Sequence, residues 1–248
     1  MNAPTFGREV APLKRDVGCH ELCPWGSTSP HRVLGVMRKG SLVYSLTRGL
    51  AKLVFLLMYQ VEIEREEPSL PDGPAVILPK HQFWTDIPLV SISFDDPLSF
   101  VAKKELFRFP GVRSTLRRLG GIPIDREVSI RTLTSIRDLL FRLKEKEKVV
   151  IFPEGTYVRG VVGTGKSRLI QMILGFQSEL KQQIPFVPMG IRYGKPKGGR
   201  RRVEIRIGHP LFADQESDAA SLTAKVMSEI SRLSRLPRVQ HGNGGKCH

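Results

Sequence analysis

Apolar positions along this chain fall into two alternating patterns. Short apolar runs read as buried strands: AVIL (Ala75–Leu78), LSFVA (Leu98–Ala102), IPI (Ile122–Ile124), KVVIF (Lys148–Phe152) and FVPMGI (Phe186–Ile191). YQVEIERE (Tyr59–Glu66) alternates apolar with polar, as a strand does, and VEIRI (Val203–Ile207) also reads as a strand. Between them lie segments of helical period. The clearest is Val128–Glu147, with Ile130, Leu133, Ile136, Leu140 and Leu143 on one face. Others are expected at Ser167–Leu180, at Ser221–Leu233, and over TDIPLVSIS, with Thr85 as cap and Pro88 in the first turn. A short helix at Val112–Leu119 ends at Gly120 and Gly121. Strands that alternate with helices predict an α/β fold: a single domain over residues 60–236 with a largely parallel or mixed sheet flanked by helices. The turn cluster PSLPDGP and a basic loop, Lys195–Arg202, interrupt the pattern.

Ahead of this domain, Ser41–Tyr59 is the most apolar long segment, but Arg48 and Lys52 interrupt it. A membrane-crossing helix needs about 20 predominantly apolar residues. On a helical wheel Leu42, Leu46, Leu50, Leu53, Val54 and Leu57 share a face and the two cations lie opposite. This pattern over residues 33–59 fits an amphipathic helix lying in a membrane interface, and equally a helix packed on the domain core. Residues 1–32 are polar and Pro-rich with no apolar signal region and read as a flexible tail; residues 237–248 read as a disordered end.

Charge changes the picture more than composition does. Lys and Arg number 39 against 24 Asp and Glu, a formal +15, which points to an anionic partner such as a lipid surface, a phosphorylated substrate or nucleic acid. The aromatics sit among apolar residues and no nucleic-acid module pattern occurs, so nucleic acid is not expected. Three cysteines, Cys19, Cys23 and Cys247, are too few for a disulfide framework, and a reducing compartment follows. Cys19, His20, Cys23 and His31 fit no standard zinc spacing, so no metal is expected.

Candidate chemistry begins at LPKHQFWTDIP, where His81 and Asp86 stand five positions apart. A histidine suits general-base work near neutrality, and a carboxylate on its other ring nitrogen fixes the tautomer. One continuous helix would turn such a pair to different faces, so His81 must lie on a loop that leads into the helix carrying Asp86. VVIFPEGT places Glu154 and Gly155 at a turn after a strand, where ligands of α/β sheets bind, with Glu154 aimed into the cleft. Lys103, Lys104, Arg126, Arg159, Lys166 and Arg168 cluster in sequence around these turns and suggest a shared anion site. GVVGTGKS (Gly160–Ser167) also matches the phosphate-loop pattern of nucleotide hydrolases. Against that reading, KVVIF ends well before Gly160, lies past the middle of the chain, and no later strand ends in an Asp to hold magnesium.

Taken together, KHQFWTD, GGIPIDR, IFPEGT and FVPMGI stand in the order and rough spacing of four sequence blocks of the glycerolipid acyltransferases. Over about residues 60–210 the chain resembles that family, whose best-known members are the 1-acylglycerol-3-phosphate acyltransferases. The resemblance implies a membrane-associated enzyme, peripheral or monotopic on the cytoplasmic face. It would move an acyl group from acyl-CoA or acyl-carrier protein to a lysophospholipid, with no other cofactor. His81 and Asp86 match the catalytic pair, Glu154 and Gly155 the acceptor-binding block, and Arg126 the arginine of the second block. Lys103 matches a basic position near the acceptor phosphate, and Pro188 falls in the fourth block. One position departs: the family's FPEGT continues with Arg, and here Tyr157 stands there, leaving Arg159 or Lys166 to substitute or the acceptor to differ.

Overall fold

Residues 57–70, 72–108, 120–124 and 130–239, with Gly49, Leu53, Phe55 and Arg113, are described by a computed structural model, and all belong to one compact unit, Gly35–His248. The expected tail at 1–32, the Cys19 group, Arg126, most of the helix expected at Val112–Leu119, and the chain from residue 240 lie outside the described residues.

Seven strands form one sheet in the order β1-β7-β6-β2-β5-β3-β4. They are β1 (Tyr59–Arg65), β2 (Ala75–Pro79), β3 (Leu98–Lys103), β4 (Ile122–Ile124), β5 (Lys148–Val150), β6 (Phe186–Lys197) and β7 (Arg200–Ile207). Every pairing is parallel except the β6–β7 hairpin, so the sheet is mixed. Four α-helices are described: α1 (Asp86–Ile92), α2 (Ile130–Lys144), α3 (Arg168–Leu180) and α4 (Ala219–Ser234).

Strand alternation divides the core into two layers. Val76 and Leu78 of β2 join Leu139, Leu143, Ile170, Ile173, Val226 and Ile230 from α2, α3 and α4 on one face. Ile77, one residue out of phase, joins Leu89, Val90, Val187, Ile191, Val203 and Phe55 on the other. Burial on both faces is why the sequence shows continuous apolar runs here rather than alternation.

The segment expected as a basic loop is mostly strand. β6 and β7 stay paired out to Lys197 and Arg200, and Gly198 and Gly199, both at positive φ (59° and 77°), make the two-residue turn. The hairpin therefore carries Lys195, Arg200 and Arg201 beyond β2, whose pairing with β6 ends at Met189. Residues 237–239, placed by sequence in a C-terminal tail, bond to Val162 from both sides.

The N-terminal amphipathic segment is helical at Gly49, Leu53, Phe55, Leu57 and Met58, and Tyr59 already belongs to β1. Of its expected apolar face, the two described members, Leu53 and Leu57, are 56% and 61% exposed, whereas Phe55 is buried. Phe55 stacks on Tyr59 (5.8 Å) and meets the edge of Trp84 (6.4 Å). Among the described residues no helix is long and apolar enough to cross a membrane.

Candidate active site

The site forms where β2 runs out. Pro79 ends the strand, residues 80–85 make an irregular loop, and α1 opens at Asp86. The carboxylate of Asp86, fully buried, closes this loop on itself: Oδ2 accepts the backbone N–H groups of Gln82 (2.5 Å) and Phe83 (2.8 Å). The same oxygen lies 3.1 Å from His81 Nδ1, so the pair meets across a loop-to-helix junction, as the five-residue spacing requires. A carboxylate only accepts, so Nδ1 carries the hydrogen and Nε2 keeps the lone pair. Thr85 makes no side-chain cap; its hydroxyl lies 2.8 Å from the Tyr193 hydroxyl. Tyr193, from β6, donates to Asp86 Oδ1 at 2.5 Å. Burial and the neighbouring Asp86 charge push the Tyr193 phenol well above its usual range, so it remains a donor. The His81 ring is flanked by Phe152, stacked at 3.8 Å, and by Tyr157, tilted at 4.3 Å.

Glu154 does not point into an open cleft. It is 3% exposed, and both oxygens bond to Lys80 Nζ (2.9 and 2.7 Å). One oxygen also accepts His81 N–H (3.1 Å) and the other Gly163 N–H (2.7 Å). Lys80, fully buried, gives further bonds to the carbonyls of Val158 (2.6 Å) and His81 (3.2 Å). Burial lowers the Lys80 pKa, and the Glu154 partner offsets part of that. Glu154, expected from the sequence to bind the acceptor, thus fastens the 153–163 loop to His81 and Lys80 with both of its oxygens engaged. One consequence concerns oxyanion stabilisation: the N–H groups of His81, Gln82 and Phe83 are all taken by carboxylates.

The other expected site residues separate. Gly155 turns the chain after Glu154 at φ 66°, a conformation costly for any residue with a Cβ. The Lys166 side chain lies against Gly155, so both stay at this loop. Arg159 is exposed and sits with its guanidinium carbon 4.8 Å from the centre of the Phe83 ring, two residues from His81. Lys103 is exposed at the end of β3, two strands from β2 or roughly 10 Å at ordinary strand spacing. Arg126 lies outside the described residues.

The phosphate-loop lookalike is explained by packing. Gly163 gives its N–H to the Glu154 carboxylate, which would repel a phosphate in that position. Gly165 faces α4, where a Cβ would come within 2.6 Å of Thr223 and 2.7 Å of Met227. Among the described residues no group of three His, Cys, Asp or Glu side chains is placed to hold a metal.

Four contributors escaped the sequence: Lys80, Gln82, Phe152 and Tyr193. Buried Gln82 bridges the carbonyl of Ile191 (2.9 Å) and the N–H of Gly160 (3.0 Å), joining β6 to the 153–163 loop. Lys80 carried a readable signal, a lone cation directly after a fully apolar strand. Tyr193 carried none, because it meets Asp86 across 107 residues.

The acyltransferase family model matches residues 60–192, which include every member of this arrangement but Tyr193, one residue beyond it. A 1-acyl-sn-glycerol-3-phosphate acyltransferase of Pseudomonas aeruginosa is 30% identical over 77% of this chain and 77% of its own length. A lyso-ornithine lipid O-acyltransferase of the same organism is 32% identical over 80% of this chain and 65% of its own. Among solved structures, the 1-acyl-sn-glycerophosphate (LPA) acyltransferase of Thermotoga maritima superposes with a TM-score of 0.58 at 25% identity. That match covers 77% of this chain and 79% of the other.

Proposed function

The chain belongs to the glycerolipid acyltransferase family, and on that premise we propose that it moves a fatty acyl group from an acyl thioester to the free hydroxyl of a lysophospholipid, with 1-acylglycerol-3-phosphate as acceptor and phosphatidate as product. The observation that carries this reading is His81 held by Asp86 at 3.1 Å, with Nε2 left as the base. Nε2 takes the proton of the acceptor hydroxyl as its oxygen attacks the thioester carbonyl. The tetrahedral intermediate collapses with cleavage of the C–S bond, and the imidazolium returns its proton to the departing sulfur. Asp86 stabilises the imidazolium in between. The acceptor is itself the nucleophile, so no enzyme Ser or Cys is required. The donor is acyl-CoA or acyl-carrier protein, and the protein works as a peripheral enzyme on a lipid surface.

Tyr157 favours a second reading of the acceptor. With an aromatic ring against His81 where the family pattern has a cation, a lysolipid without a phosphate, such as the lyso-ornithine lipid named for the second relative, is the alternative. Thiol release from acyl-CoA, measured with a panel of lysolipid acceptors, tests both. Turnover of no lysolipid sinks the proposal, and turnover of the lyso-ornithine lipid alone selects the second reading. In either case His81→Ala should lower turnover by about 10²–10⁴-fold with the fold intact.

A further inference from the structure

We infer that Arg159 and Arg201 form a two-armed clamp for the anionic head group of the acyl acceptor, a phosphate monoester or a carboxylate, built over the Phe83 ring beside the catalytic pair. The inference rests on the acyltransferase reading and supplies what Tyr157 withholds from it. Arg159 comes from the 153–163 loop, and its guanidinium carbon lies 4.8 Å from the Phe83 centroid. Arg201 comes from β7, at 5.9 Å from the same centroid and 5.4 Å from that of Tyr193. Phe83 and Tyr193 meet edge to face at 4.9 Å. Phe83 through its backbone N–H and Tyr193 through its hydroxyl are also two of the donors to Asp86. The floor of the clamp thus shares two residues with the support of the catalytic carboxylate.

Several other arginines are neutralised by carboxylates. Arg142, Arg202, Arg206 and Arg232 are each paired with glutamate. Arg159 and Arg201 are exposed and, among the described residues, neither is paired with a carboxylate. Among the described residues Arg201 uses only Nε, on the Gly194 carbonyl (3.2 Å), and its terminal nitrogens make no hydrogen bond. Two guanidiniums near one ring repel each other, and an anion bound by both relieves that repulsion. A planar fork of N–H donors matches phosphate and carboxylate oxygens, and the aromatic faces hold the forks in place.

The test uses the full chain in detergent micelles, comparing Arg159→Gln and Arg201→Gln with the parent protein. Acceptors are 1-acylglycerol-3-phosphate and uncharged monoacylglycerol. Donors are acyl-CoA and a phosphate-free acyl N-acetylcysteamine thioester. Each substitution should raise the KM for the phosphate acceptor about tenfold, leave kcat within about twofold, and leave monoacylglycerol kinetics and the acyl-CoA KM unchanged. Arg201→Lys should recover only part of the loss, since an ammonium lacks the fork. An unchanged acceptor KM, or equal losses with charged and uncharged acceptors, overturns the clamp. A rise confined to the KM of acyl-CoA, absent with the phosphate-free thioester, overturns it in favour of a donor phosphate site. Equilibrium binding of 1-acylglycerol-3-phosphate to His81→Ala protein, with and without each Arg→Gln change, judges the clamp without turnover. It supports the clamp if affinity falls about tenfold and refutes it if affinity holds, even should the acyltransferase reading fail.

Discussion

At the scale of single residues, the Asp86 carboxylate is held more firmly than a two-residue pair requires. Asp86 has donors from His81, Gln82, Phe83 and Tyr193, and only the tyrosine comes from a distant strand. Tyr193→Phe removes one bond to a charged acceptor, worth about 1.5–3 kcal/mol. Turnover should fall by about tenfold or more with little change in KM. Because Tyr193 acts through Asp86, its loss should matter far less in an Asp86→Asn background; equal losses in both backgrounds would show that the tyrosine only supports the fold. Lys80 and Glu154 predict a stability effect instead. Lys80→Met leaves a buried glutamate unpaired, which costs about 3–5 kcal/mol, and chemical denaturation should show it. Adding Glu154→Gln should recover part of the loss; no recovery would mean that the cost comes from packing rather than charge. His81 and Asp86 were legible in the sequence because their pairing is local. The partnership of Lys80 with Glu154 spans 74 residues, so the sequence offered no sign that this glutamate fastens a loop.

At the scale of elements, most of the fold was legible because burial on both sheet faces leaves apolar runs, and helices over those faces leave a different period. Legibility failed where backbone geometry outweighed side-chain pattern. Lys195–Arg202 has too many cations to read as strand, yet a Gly198–Gly199 turn sets a hairpin whose register needs no apolar alternation. GVVGTGKS fits a motif that its context in the chain already opposed: Gly165 packs against α4 and Gly163 gives its N–H to Glu154. Gly165→Ala tests this directly. A Cβ there presses on Thr223 and Met227, and overpacking of that kind costs about 1–3 kcal/mol. The melting temperature should fall, and added nucleotide should not restore it. Protection by ATP would revive the phosphate-loop reading.

Across the whole molecule, the proposed lipid surface has a geometric counterpart. Tyr59, the first residue of β1, is in register with Arg201, so the helical residues just before it lie toward the turn end of the cationic hairpin. Leu53, Leu57 and Met58 expose their side chains there, Trp84 does the same from the loop after β2, and Phe55 joins the two by contacting Trp84. Because β2 and β6 are parallel, the hairpin leaves the sheet at the end where His81 sits. On the β1 side, by contrast, Glu62, Glu64 and Glu66 pair with Arg202, Arg206 and Arg232, which reduces the net charge of that flank. A surface with apolar side chains and unpaired cations together suits an anionic bilayer, where each well-placed cation contributes about 1 kcal/mol and each buried leucine about 1.5–3 kcal/mol. Binding to vesicles rich in phosphatidylglycerol should therefore weaken as salt rises. Leu53→Glu with Leu57→Glu should lower vesicle affinity at least tenfold while leaving kcat on a short-chain, water-soluble acceptor unchanged. Sedimentation with vesicles measures the first quantity and thiol release the second. If the double variant sediments as the parent does, another surface meets the lipid, and the outward-facing leucines serve some contact other than the bilayer.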